Sequence, residues 1–90
     1  MTMTTQELTD WAFAQNVSAK MKMALLALAW GADPSGGGRV TLAVLEQRTC
    51  MSVARILKIL GRLQSAGLLI FQQPNEFEIV FGLCIDRRPS

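Results

Sequence analysis

Thr49-Cys50-Met51-Ser52, followed by Val53-Ala54-Arg55-Ile56-Leu57-Lys58-Ile59-Leu60-Gly61-Arg62-Leu63-Gln64-Ser65-Ala66-Gly67-Leu68-Leu69, is the stretch on which the fold turns. The Ser52 hydroxyl can accept a free N–H of a first helical turn, and Gly67 can enter the left-handed conformation that ends a helix. A turn, a capped helix over 52–66 and a strand are therefore expected in that order. On a helical wheel Val53, Ile56, Leu57, Ile59, Leu60 and Leu63 share one broad apolar arc, while Arg55, Lys58 and Arg62 lie together away from it. No acid interrupts the basic side. Three cations beside the small residues Ala54 and Gly61 suit a groove lined with phosphates; a merely solvated face of a core helix has the same spacing.

Outward from this helix, the remaining elements follow from capping and periodicity. Thr4-Thr5-Gln6-Glu7 has the spacing of a capping box, opening a helix with Leu8, Trp11 and Ala12 on one face and an end near Asn16. Ser18 can cap a helix over 19–30 that is apolar nearly all round after Lys22, the pattern of a central helix or of one held between a core and a partner subunit. Gly31 stops it. The stretch 32–38, with three consecutive glycines, is expected to be a mobile loop; no Gly-Lys-Ser/Thr follows, so it is not a phosphate-binding loop. Arg39-Val40 can form a short strand, and Thr41 can cap a brief helix over 42–49. Residues 68–72 and 77–81, joined by Gln73-Pro74-Asn75-Glu76, have the composition of a hairpin.

Ninety residues suffice for one domain, and a chain half hydrophobic and 18% charged has a globular composition. The net charge of +2 is unevenly placed. Residues 19–71 hold seven cations (Lys20, Lys22, Arg39, Arg48, Arg55, Lys58, Arg62) against Asp33 and Glu46, a surplus of five around the basic helix. Cys50 and Cys84 belong to no metal-binding spacing and the chain has no histidine, so neither a metal site nor a cofactor is expected, and both thiols should be reduced and separate. The start of the chain lacks the basic and apolar runs of a signal peptide, and the apolar run 23–30 is too short to span a bilayer, which points to a cytoplasmic protein without membrane contact. Scattered carboxylates and the lack of a nucleophile beside a base argue against an enzyme.

The order helix, helix, short strand, helix, helix, strand, strand, with these residues, resembles a winged helix-turn-helix domain. It is most similar to the variety found in phage, plasmid and mobile-element replication and regulatory proteins. The residues that carry the resemblance are Lys22-Met23-Ala24-Leu25-Leu26-Ala27-Leu28-Ala29, the Gly-rich loop, Leu45 through Ser52, and the Leu63…Ala66-Gly67-Leu68-Leu69 passage. The resemblance implies a mainly α fold with a small β-hairpin, about four helices plus a two- or three-stranded wing. Residues 1–90 would form one domain, with 1–17 as a helical extension and 83–90 as a flexible tail. Against the family pattern, Glu46 replaces an alanine packed on the recognition helix, and Cys50 replaces the left-handed glycine at a cost on the order of 1 kcal/mol. The wing tip carries no Lys or Arg, and Glu76 and Glu78 would be repelled by phosphate.

Three functions are open to such a domain. As a small transcriptional regulator of a phage or mobile element, it would bind double-stranded DNA through helix 52–66. Arg55 and Lys58 (beside Ala54) would approach base edges, Ser52 and Arg62 would hold phosphates, and Arg39 or Arg48 would add backbone contacts. As an adaptor or inhibitor, it would bind a host or phage protein. As a replication-initiation accessory, it would bind origin DNA or load a partner. A small footprint favours a homodimer, with Leu8, Trp11 and Phe13 as the candidate interface.

Overall fold

A computed structural model describes residues 4–85 and contains four helices and a three-stranded antiparallel sheet. The helices are α1 (Thr5–Ala14), α2 (Ala19–Gly31), α3 (Leu42–Thr49) and α4 (Val53–Ser65). The strands are β1 (Gly37–Thr41), β2 (Leu69–Gln72) and β3 (Glu78–Leu83). Each helix begins where a hydroxyl can satisfy a first-turn N–H. Thr4 and Glu7 form a reciprocal capping box, Ser18 accepts from the amide of Met21, Thr41 from that of Val44, and Ser52 from that of Arg55. The order and the caps match the expectation from sequence, and the chain has a winged helix-turn-helix fold.

The turn between α3 and α4 is fixed by three local devices. The buried Thr49 hydroxyl donates to the Leu45 carbonyl at 2.7 Å and accepts from the Met51 amide. Cys50 takes the left-handed conformation at φ 57° and donates its N–H to Glu46. Ser52 then starts α4. At the other end, the amide of Leu68 reaches the Leu63 carbonyl and that of Gly67 reaches Gln64, with Gly67 at φ 78°. This double closure satisfies the carbonyls of Leu63 and Gln64, and the side chains of Leu63 and Leu68 are both buried. Glu46 is exposed, so its charge lies outside the interior.

α4 buries Ile56, Ile59, Leu60 and Leu63 and leaves Val53 and Leu57 at the rim of the core. α2 runs through the centre, touching α1, α3, α4 and β1, with Ala24, Leu25, Ala27, Leu28 and Ala29 buried. In β3 alternate residues Ile79, Phe81 and Leu83 face the core, the period-two pattern of a strand with one covered face.

β3 is the middle strand, flanked by β1 and β2. Here the structure corrects the expected loop: Gly37 and Gly38 belong to β1 and pair with Gly82 and Phe81. A Cβ on Gly38 would lie 3.0 Å from the Phe81 ring, so the glycine lets that ring close over the strand. The preceding turn is organised by Asp33, whose carboxylate accepts from the amides of Ser35 and Gly37 and from the Ser35 hydroxyl. The expectation of a flexible tail from residue 83 does not hold for its first residues. Leu83 is a buried residue of β3, and Ile85 packs on Gly36 and the core; residues 86–90 lie outside the described residues.

The α1 residues divide in a way the sequence reading did not separate. Leu8 and Trp11 are buried in the core of the same chain and so are unavailable as an interface with a second copy. Of that trio only Phe13, 56% exposed, reaches the surface.

Two expectations follow. Cys50→Gly, which relieves the left-handed residue, should raise the unfolding free energy by about 0.5–1 kcal/mol in urea titrations. The Asp33 carboxyl is held below its ordinary value of 3.8, first by the Ser35 hydroxyl bond, which with the backbone amides outweighs the opposing desolvation. A depressed folded-state value favours the ionised form in the folded chain. Its contribution is complete above the unfolded-state value and is lost as pH falls through the folded one. Urea midpoints followed downward from about pH 5 should therefore fall more steeply for the wild type than for Asp33→Asn.

Candidate nucleic-acid interface

The exposed side of α4 presents Ala54, Arg55, Lys58 and Arg62. These four, with the cap Ser52 and the base of Ile59, form one wall of an open cleft of about 420 Å³. The opposite wall is the start of α2, contributing Ser18, Lys20 and Met21. α2 and α4 touch along their buried faces, which sets the walls of the cleft side by side. Both walls thus begin at a serine-capped helix start, where free N–H groups and the helix dipole favour an anion.

Four cations line the cleft, three from α4 and one from α2. Among the described residues the one ion pair is Arg39 with Glu78, at 3.5 Å, so Lys20, Arg55, Lys58 and Arg62 have no acidic partner. Lys22, by contrast, is held on α1, donating to the Phe13 carbonyl at 2.8 Å. The Ser52 hydroxyl accepts from the Arg55 amide at 3.3 Å, which leaves its own hydrogen available to a ligand.

Five sequence-named residues are therefore brought together: Ser52, Ala54, Arg55, Lys58 and Arg62. The other two are not. Arg39, on β1, is paired with Glu78, while Arg48 donates to the Ala27 carbonyl at 3.1 Å and lies against Gly31. Both line a different cleft, between α2, β1 and α3. Arg48 ties the last turn of α3 to the last turns of α2, where its cation meets the negative end of the helix.

Lys20 is the residue that sequence reading missed. Its signal was an isolated cation just after the Ser18 cap of an otherwise apolar helix. Only the α2–α4 packing shows that this position faces the basic side of α4.

The wing is held differently from the basic cleft. The Asn75 side-chain oxygen accepts from the amides of Phe77 and Glu78, and the Phe77 carbonyl accepts from the Leu42 amide at 2.8 Å. The β2–β3 loop is thereby anchored to the start of α3. Arg39 offsets the charge of Glu78, leaving Glu76 as the exposed acid of the tip. On the sheet, Ile70 (65% exposed), Phe71 and Val80 border an apolar groove of about 600 Å³ beside Gln64. Comparison with family models, curated proteins and solved structures found no match.

The two groups of arginines should separate in stability measurements. Arg48→Ala, which removes an anchored side chain, should lower the unfolding free energy by about 1–2 kcal/mol. Arg62→Ala, a fully solvated change, should stay within about 0.5 kcal/mol of wild type.

Proposed function

We propose that the protein binds double-stranded DNA, with α4 entering the major groove and the start of α2 lying on the adjoining backbone. What carries the proposal is the cleft itself: four cations without acidic partners, on two helices whose capped starts open to the same side. A B-form major groove, about 12 Å wide, admits one helix, and the exposed side of α4 is bulky only through its cations. Arg55 and Lys58, beside Ala54, are the residues proposed to reach base edges. Ser52, Arg62 and Lys20 are proposed to hold phosphates. Arg39 and Arg48 take no part in this contact, because their charges are engaged elsewhere.

A role as a small, non-enzymatic transcriptional regulator of a phage or mobile element rests on the resemblance in the residues from Lys22 to Leu69. A cytoplasmic location belongs to the same proposal and rests on the same resemblance. No helix among the described residues is long and apolar enough to cross a membrane. A replication-initiation accessory would use the same DNA face. A protein-binding adaptor is favoured by one different observation, the apolar groove around the exposed Ile70.

Fluorescence anisotropy with a labelled duplex, repeated across a salt series, tests the proposal. Binding should weaken with salt, and each phosphate contact should contribute about 0.9 to the log–log slope. Lys20→Ala, Lys58→Ala and Arg62→Ala should each reduce that slope, whereas Arg39→Ala and Arg48→Ala should leave it unchanged. Arg55→Ala should also blunt discrimination between sequences, by about 1–3 kcal/mol for a bidentate guanine contact. A folded Arg55→Ala/Lys58→Ala/Arg62→Ala variant that binds duplex like wild type would overturn the proposal and turn attention to the Ile70 groove.

A further inference from the structure

We infer that Gly61 is the point at which the DNA sugar–phosphate backbone packs directly on the main chain of α4, setting the depth at which that helix seats in the major groove. The inference rests on the DNA reading above and adds to it a residue outside the cleft lining.

The fold gives Gly61 no reason to be a glycine. The chain has seven glycines. Gly67 holds a positive φ of 78° after α4. Gly31, Gly36, Gly37, Gly38 and Gly82 would each bring an added Cβ to within 3.4 Å of another group. Gly61 has neither cause: its φ is not positive, and a Cβ built on it meets nothing within 4 Å beyond its chain neighbours and the adjoining helix backbone. It lies inside α4, between Leu60 and Arg62, where glycine weakens a helix relative to alanine. A glycine tolerated there at a cost in stability keeps open a space that the free protein does not fill.

That space faces the groove-binding side of the helix. Ala54, Lys58, Gly61 and Ser65, spaced four, three and four residues apart, share the side of α4 opposite the buried Ile56, Ile59, Leu60 and Leu63. Lys58 is the one long side chain among them, and it is flexible and cationic. Arg55 and Arg62 stand beside this line, without acidic partners among the described residues.

A helix with its side chains is about 10–12 Å across and a B-form major groove about 12 Å wide, so little slack remains between the helix and the groove wall. Gly61 is three residues past Lys58, about 4.5 Å further along the axis. With Lys58 at base edges and Arg62 at a phosphate, the wall meets the helix at Gly61. A bare Cα there lets the backbones of protein and DNA approach closer by about 1.5 Å, the length of one carbon–carbon bond.

Two measurements on the same variants test the inference. One is thermal melting followed by circular dichroism; the other is fluorescence anisotropy with a labelled duplex enriched by the wild-type chain from a random-sequence pool. Gly61→Ala should raise the melting temperature by about 2–8 °C, because alanine is the better helix former and finds room. The same variant should bind the enriched duplex at least about fivefold more weakly, because the added methyl lifts α4 from the base edges. Gly61→Leu should weaken binding further while also melting above wild type. Binding to an unselected duplex, carried by long flexible cations, should change little. Stability and affinity moving in opposite directions mark a residue kept for a ligand rather than for the fold. A Gly61→Ala chain that melts below wild type, or that binds the enriched duplex as tightly, would overturn the inference and leave the DNA reading intact. A wild type that binds duplex but enriches no sequence would likewise overturn the close seating alone. One that ignores duplex at low salt would overturn the DNA reading and this inference together.

Discussion

The burial of α2 among α1, α3, α4 and β1 is the constraint on which the rest of the structure depends. Its inward residues alternate Ala24, Ala27 and Ala29 with Leu25 and Leu28, so neighbouring elements can approach closely between the leucines. This close approach brings the start of α4 beside the start of α2 and makes a single cleft from two helix ends. It also commits α2's inward side so fully to the core that its remaining apolar residues, Met23, Leu26 and Trp30, must face outward. The candidate DNA site and the outward apolar side of α2 are thus two consequences of one packing decision.

Arginine is used in three distinct ways in this small domain. Arg55 and Arg62 stand free on α4, Arg39 neutralises Glu78 across β1 and β3, and Arg48 clamps α3 to the end of α2. The difference lies in what each side chain can reach. A guanidinium near a carbonyl row or a carboxylate becomes part of the scaffold, and one with neither keeps its donors for a ligand. The Arg39–Glu78 pair also moderates the acidic wing. Because both side chains remain partly solvated, the pair stabilises the fold little. Its greater effect is to reduce the repulsion that Glu78 would exert on a nearby phosphate.

The order of elements was legible because it is written in local chemistry. Four hydroxyl caps (Thr4, Ser18, Thr41, Ser52) and the left-handed Gly67 act within a few residues of their own position, and the apolar arc of α4 needs only its own periodicity. The left-handed Cys50 was anticipated from the resemblance, whose pattern has a glycine at that position. Of the candidate site, the α4 residues were readable for the same reason: residues three and four apart on one helix must share a side.

What the sequence could not determine were relations between segments remote along the chain. Gly37 and Gly38 have no intrinsic preference for a strand; they become β1 because β3 offers them partners and the Phe81 ring needs the space of a missing Cβ. Leu8, Trp11 and Phe13 look alike as apolar residues of one short helix, yet only docking on α2 decides that the first two are interior and the third is not. Lys20 joined the basic cleft and Arg48 left it for the same reason, the rotation of α2 about its axis against α4 and α3. Local sequence fixes how each helix is built. Only the packed interior, by choosing which side of each helix loses water, decides which of its charges and apolar groups remain to meet a partner.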